Sequence, residues 1–108
     1  MKIHSVLGSG FREVVYKDAL ELELLRAGIK YKREAGFAIH YEERLLPHMF
    51  IADFIAYERI LLEIKSTTQI QYQHFGQTYN YLKASKIKLG LLINFGEDRL
   101  NYKRIVCG

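Results

Sequence analysis

The sequence predicts an α/β fold of the α+β kind: a central mixed β-sheet flanked by two helices, in the order αβββαβ with an extra edge strand at the end. Three observations carry this. Apolar residues recur at helical spacing over residues 12–27, aromatic and β-branched runs split by a short polar turn follow, and a second helical stretch precedes an apolar run of strand length at 89–95. With 108 residues and 49% hydrophobic content, the chain can bury one packed core and not two. A single domain over 1–108 is therefore expected, and any site must lie within it.

The first helix is expected over 12–27, with Val15, Ala19, Leu22 and Leu25 or Ala27 on its apolar stripe and Tyr16, Leu20 and Leu24 beside them. Ser9 and Gly10 can cap its start, and Gly28 suits the left-handed residue that ends a helix because it has no Cβ to clash. Strands are expected over 37–41, 49–56 and 60–65, rich in aromatic and β-branched residues. The polar break at Tyr57, Glu58 and Arg59 makes the last two an antiparallel hairpin. A second helix is expected over 69–84, with Phe75, Tyr79 and Leu82 toward the core, then a buried strand over 89–95 and a short final one over 102–106.

Composition removes several function classes. The apolar runs fall far short of the ~20 residues that span a bilayer, so no membrane association is expected. The residues before Gly8 are too few and too polar for a secretory signal, which predicts a cytoplasmic protein. One cysteine, Cys107, supports neither a disulfide framework nor a cysteine metal cage. His4, His40, His48 and His74 lack zinc-motif spacing, and no Gly-Lys-Ser/Thr follows the glycines to make a phosphate loop. The net charge of +4 comes from the carboxyl-terminal quarter, where Lys83, Lys86, Lys88, Arg99, Lys103 and Arg104 face only Glu97 and Asp98. Such a cluster can attract phosphates by releasing condensed counterions, or can simply be a solvated basic face.

The chemistry concentrates on the hairpin. A turn centred on Glu58 sets Asp53 opposite Glu63, and strand alternation puts Lys65 on the same face as Glu63. Phe50, Ile51, Ala52, Phe54, Ile55, Ile60, Leu61, Leu62 and Ile64 surround these charges with apolar groups. Two carboxylates opposed in a largely buried sheet stay ionised only if a cation offsets their desolvation and repulsion. Oxygen ligands suit Mg²⁺ (or Mn²⁺), which can activate a water toward a phosphodiester, with Lys65 at the phosphate. The same three residues also fit a structural ion-pair cluster.

At these residues the chain resembles a known group. Asp53 followed by Leu62-Glu63-Ile64-Lys65-Ser66 looks like the D and ExK elements of the PD-(D/E)XK nuclease superfamily, with Ala52 where that name has proline. Gly10-Phe11-Arg12-Glu13-Val14-Val15-Tyr16 matches the signature of the GxxExxY protein family, a bacterial group assigned to that superfamily. The stretches 50–65 and 90–96 are also similar to that family.

The resemblance implies a restriction-endonuclease-like core and metal-dependent hydrolysis of nucleic acid, DNA being the first expectation. It implies Asp53, Glu63, Lys65 and Gln77 as catalytic residues, and Glu13 as a further metal or water ligand beside Asp53 and Glu63. Glu13 also fits an acid favoured by a helix start, and Tyr16 fits packing. Gln77 and Tyr81 match the QxxxY pattern of RecB-like nucleases, in which the glutamine lies close to the site and the tyrosine contacts DNA. Tyr81, Lys83, Lys86 and Lys88 are the expected nucleic-acid contacts. Family members carry most of a helix before the glycine-rich turn, whereas here only residues 1–7 remain of it, so that helix is expected to be shortened.

Two classes stay open on the sequence: a nuclease, and a catalytically inactive module that binds nucleic acid or protein on the same fold. A homodimer is compatible with either, because so small a domain does not easily surround a duplex alone.

Overall fold

A computed structural model describes residues 2–108. Helix α1 (Lys2–Leu7) and helix α2 (Glu13–Arg26) precede strands β1 (Tyr31–Tyr41), β2 (Arg44–Ala56) and β3 (Ile60–Lys65); helix α3 (Tyr72–Ser85) then leads to β4 (Leu89–Asn94) and β5 (Asn101–Val106). The strands form one sheet in the order β1-β2-β3-β4-β5. Only β3 and β4 run parallel, joined through α3, and the other neighbours are antiparallel. The expected fold class, a mixed sheet with helices in the order αβββαβ and an added edge strand, is the one observed.

The helices cover opposite faces. Adjacent residues of β3 point to opposite sides, and Leu62 and Ile64 pack with Tyr16, Leu20, Leu24, Phe54, Ile93 and Phe95 under α1 and α2. Leu61 packs with Ala52, Ile55 and Leu82 under α3. The buried stripe of α2 is Tyr16, Leu20 and Leu24, while Leu22 and Leu25 are exposed. Apolar residues occur all round this helix, so spacing alone did not select the stripe that meets the sheet. On α3 the fully buried side chains are Thr78 and Leu82, while Tyr79 is exposed. Gly90 lets that face approach β4 closely, since a Cβ there would lie 3.3 Å from Leu82 Cδ2 and 3.4 Å from Thr78 Cγ2.

Helix ends follow local chemistry. Gly28 closes α2 at φ +68, with its N–H donating to Leu25 and that of Ile29 to Leu24. Neither Ser9 nor Gly10 caps α2; the N-cap is Arg12, without a side-chain cap bond. Helix α3 starts later than expected, where the Gln71 N–H donates to His74 Nδ1 at 2.9 Å.

The largest difference from expectation is the length of β1 and β2. β1 starts earlier, at Tyr31, through Lys32, Arg33 and Glu34 beside the end of β2, and β2 starts earlier, at Arg44; the two turn at Glu42 and Glu43 (φ 49 and 70), and their turn end forms an exposed arm. Between Ala38–Met49 and His40–Leu45 the register shifts, and Pro47, which has no N–H to give a ladder, sits in that irregularity.

A candidate active site where the sheet forks

Strands β2 and β3 pair only through Phe54–Leu62, Ile55–Leu61 and Ala56–Ile60. The turn between them is centred on Glu58, with Tyr57 and Glu58 at φ 55 and 60. Beyond Phe54 the strands part, β2 continuing into the arm with β1 and β3 continuing beside β4. Asp53 and Glu63 are the first residues past the fork. They therefore do not form the direct ladder pair that the register implied; each carboxylate reaches instead to the opposite backbone. The Asp53 N–H donates to Glu63 Oε2 at 2.9 Å, and the Ile64 N–H donates to Asp53 Oδ2 at 2.7 Å.

The fork also inverts the strand faces. Ala52 packs in the cluster under α3, whereas Phe54, two residues on, packs under α2. In β1, Arg33 lies over the Phe54 ring at 5.7 Å, while Ala35 joins the α3-side cluster. Between the pairs Arg33–Phe54 and Ala35–Ala52 lie Glu34 and Asp53, and Glu34 is left-handed at φ 53. A side chain in that region is strained, and such residues gather at functional sites.

Electrostatics match the geometry. Glu63 is 5% exposed. Burial, then the charge of Asp53, pushes its carboxyl up to about 7, against the Asp53 N–H and the charges of Lys65 and Lys17. Lys17, from α2, places Nζ 3.3 Å from Asp53 Oδ1 and 2.8 Å from Glu34 Oε1. Burial lowers its pKa, and the bonds to Glu34 and Asp53 outweigh this to raise it.

Of the expected site residues, the fold brings together Asp53, Glu63 and Lys65, the last close enough to favour ionised Glu63. Tyr81 joins them from α3: burial first, then the charges of Glu63 and Asp53, raises its phenol, and a bond with Gln77 partly offsets this. One face of the Tyr81 ring is already stacked on Phe50, at 4.2 Å and 15°. Glu13 opens α2 one turn before Lys17 and makes no bond to the pair. Among the described residues no three His, Cys, Asp or Glu side chains form a metal-holding group.

Lys83, Lys86 and Lys88 are exposed. Lys86 ends α3 in the left-handed region and Lys88 precedes Leu89, which pairs with Ile60, whereas Lys65 pairs with Asn94 at the other end. At ~3.3 Å per residue, Lys88 lies roughly 20 Å along the sheet from Lys65. Lys17 and Glu34 are the residues that sequence reasoning missed at the site. The available signal was that Lys17 follows Glu13 by four residues and so shares its helical stripe.

The site suits a hard divalent cation in its donor chemistry. Main-chain bonds orient one oxygen of each carboxylate and leave Asp53 Oδ1 and Glu63 Oε1 outside that exchange. Mg²⁺ is commonly held by one or two carboxylates together with waters, so a pair is a sufficient protein contribution. Among the described residues no helix is long and apolar enough to cross a membrane.

Comparison with known proteins bears on the fold and the family. The crystal structure of SSO0001 has a similar fold, with a TM-score of 0.69 at 20% identity over 85% of this chain and 49% of that one. This chain thus spans about half the length of that neighbour. No curated protein matches the sequence. The family profile described as the PD-(D/E)XK nuclease superfamily matches residues 1–105, and the chain belongs to that superfamily.

Proposed function

We propose that this chain is a divalent-metal-dependent nuclease of the GxxExxY type that hydrolyses phosphodiester bonds in nucleic acid, DNA first. The observation that carries this reading is the crossed exchange at the fork, in which two carboxylates are fixed by each other's strands with one oxygen apiece outside the exchange. The Gly10, Glu13 and Tyr16 signature supports the finer family assignment.

Asp53 and Glu63 hold Mg²⁺ or Mn²⁺, with Glu13 as an outer acidic group one helical turn from Lys17. When bound, the ion supplies Lewis-acid activation of water and neutralises charge at the scissile phosphate. Lys65 stabilises negative charge that grows on the phosphate in the transition state. Gln77 and Tyr81 orient the substrate strand beside the pair. Exposed Lys83, Lys86 and Lys88 draw the polyanion toward the domain from a distance, a salt-sensitive contribution to affinity. The reaction takes place in the cytoplasm, and two copies acting together would cut both strands of a duplex.

The test is a cleavage assay with Mn²⁺ on single-stranded, duplex and branched DNA and RNA, comparing wild type with Lys65→Ala. Cleavage by wild type and its loss in the variant supports the reading; equal rates in both, or none in either, overturns it. A second reading, a non-catalytic binding module, is favoured by the Lys17 amine on Asp53 and by the lack of a bond joining Glu13 to the pair. Thermal melting separates the two: Mg²⁺ or Mn²⁺ stabilises a metal site and Asp53→Ala removes the shift, whereas a module keeps its melting curve unchanged.

A further inference from the structure

We infer that Lys17 is a built-in counter-cation of the Asp53–Glu63 site, with Glu34 as its second seat, and that this pair sets how tightly a divalent cation is taken up. The inference rests on the metal reading above and concerns residues which that reading does not use.

Both Asp53 oxygens have donors: Oδ2 accepts the Ile64 N–H, and Oδ1 lies 3.3 Å from Lys17 Nζ. A cation arriving at Oδ1 meets an ammonium already there, and like charges at such range repel strongly where water is scarce. The Lys17 side chain is only 15% exposed, so solvent does little to screen that repulsion. The shorter contact of Lys17 is with Glu34 Oε1, at 2.8 Å. Glu34 and Asp53 fall between the pairs Arg33–Phe54 and Ala35–Ala52, and Glu34 has a backbone conformation costly for a residue with a Cβ. Glu34 keeps the ammonium within reach when Asp53 Oδ1 passes to the ion. Arg33, the other cation near Glu34, is 3.9 Å from it and is held more closely by Asp18 at 2.8 Å and Glu21 at 2.9 Å. Lys17 is therefore the principal partner of Glu34.

The two residues then act on metal affinity with opposite signs. Neutralising Lys17 removes a repulsion and tightens binding; neutralising Glu34 leaves the ammonium on Asp53 alone and weakens it. Because Glu34 acts through Lys17, its effect vanishes once Lys17 is gone.

The experiment measures Mn²⁺ affinity of the intact chain at pH 8 by electron paramagnetic resonance and calorimetry. The variants are Lys17→Met, Lys17→Arg, Glu34→Gln, the double Lys17→Met/Glu34→Gln, and Asp53→Ala. Lys17→Met binds about five- to tenfold tighter than wild type, Lys17→Arg within about twofold of it, and Glu34→Gln about threefold weaker. The double variant matches Lys17→Met. Should Lys17→Met not fold, Lys17→Gln takes its place. Unchanged or weaker binding by the neutral Lys17 variant, or a Glu34→Gln effect equal in both backgrounds, overturns the inference while wild-type binding lost in Asp53→Ala leaves the metal reading standing. Absence of Mn²⁺ binding in wild type and Lys17→Met alike removes the metal reading and this inference with it.

Discussion

The Tyr16 ring lies face to face on Phe95, with centroids 4.6 Å and planes 9° apart, and its hydroxyl donates to the Gly8 carbonyl at 2.6 Å while accepting the Phe11 N–H at 3.2 Å. One side chain thus fastens the turn between the first two helices to the end of β4. Ser66 Oγ, one residue past Lys65, donates to the Phe11 carbonyl at 2.6 Å, so the same turn touches the lysine's loop.

Tyr16→Phe keeps the stack and loses the hydroxyl, which leaves the Gly8 carbonyl and Phe11 N–H without that partner. A loss of about 1–2 kcal/mol in urea unfolding is expected. Tyr16→Ala also removes a fully buried ring and should cost about 3–5 kcal/mol. Equal stability of the phenylalanine variant and wild type would show that the hydroxyl contributes nothing.

The raised Glu63 carboxyl makes metal-free stability depend on pH with a definite sign. Folded Glu63 titrates at about 7, and an unfolded glutamate at about 4.3. Between these values the native state holds a proton that the unfolded state has released, so this group's stabilisation is full at low pH and declines as pH rises through about 7. Glu63→Gln should flatten this slope, gaining about 2–3 kcal/mol over wild type at pH 8 relative to the same comparison at pH 4. Parallel stability–pH curves for the two proteins would count against it.

On the proposed metal reading, uptake of the ion follows the opposite trend. Mn²⁺ must displace the Glu63 proton, so affinity should fall nearly tenfold for each pH unit below the folded pKa and level off above it. Calorimetry at pH 5.5, 6.5 and 8 checks this, and the proton released at the lower pH values gives a second reading through the buffer's ionisation heat.

Gly96 is a position where a methyl group cannot fit. Its Cβ would overlap the Thr67 nitrogen and carbonyl oxygen and lie 2.7 Å from the Ser66 carbonyl carbon. Since these are backbone atoms, Gly96→Ala should cost about 2–4 kcal/mol and shift the segment after Lys65. Gly10→Ala, with nothing within 4 Å of the added carbon, should stay within about 0.5 kcal/mol of wild type. Denaturant melts of the pair make the comparison.

Asn94 ties the same segment down. It is fully buried, accepts the N–H groups of Thr67 and Gly96 at 3.0 Å each, and donates to the Thr67 carbonyl at 3.0 Å and to Glu97 at 2.6 Å. Asn94→Ala leaves buried main-chain groups unpaired and should lose about 2–4 kcal/mol. Faster amide exchange at Thr67 and Gly96 would locate the damage.

Legibility varied with the physical source of each signal. Strands β3 and β4 were readable because both faces are covered, which writes unbroken apolar runs. Their hairpin partner was readable as far as Met49 because it is apolar but for Asp53, although Met49 and Ile51 are exposed. The missed segments are the start of β1, where Lys32, Arg33 and Glu34 break the apolar pattern in the part that faces Ile55 and Phe54, and the start of β2, with Arg44, Pro47 and His48; the turn joining the two strands is Glu42-Glu43 in place of the usual Asn or Gly, so nothing local announced them. Fixing the Glu58 turn was enough to bring Asp53 beside Glu63, yet the fork beyond Phe54 depends on where β1 and β4 lie, which spacing along one strand does not encode. Lys17 escaped for a related reason: it reaches the site only because α2 docks with Tyr16, Leu20 and Leu24 inward, and the apolar pattern of that helix favoured another side; Glu34 escaped because it lies in the part of β1 that the apolar pattern did not reveal.

The outer ribbon of β1 and β2 has no third strand beside its tip, whereas the inner part belongs to the five-stranded sheet. On the tip side of Asp53, support for β2 therefore passes from a strand to a helix: Ala52 packs with Leu82, and Phe50 stacks on Tyr81. A displacement of the ribbon would move this packing together with the acid at its root.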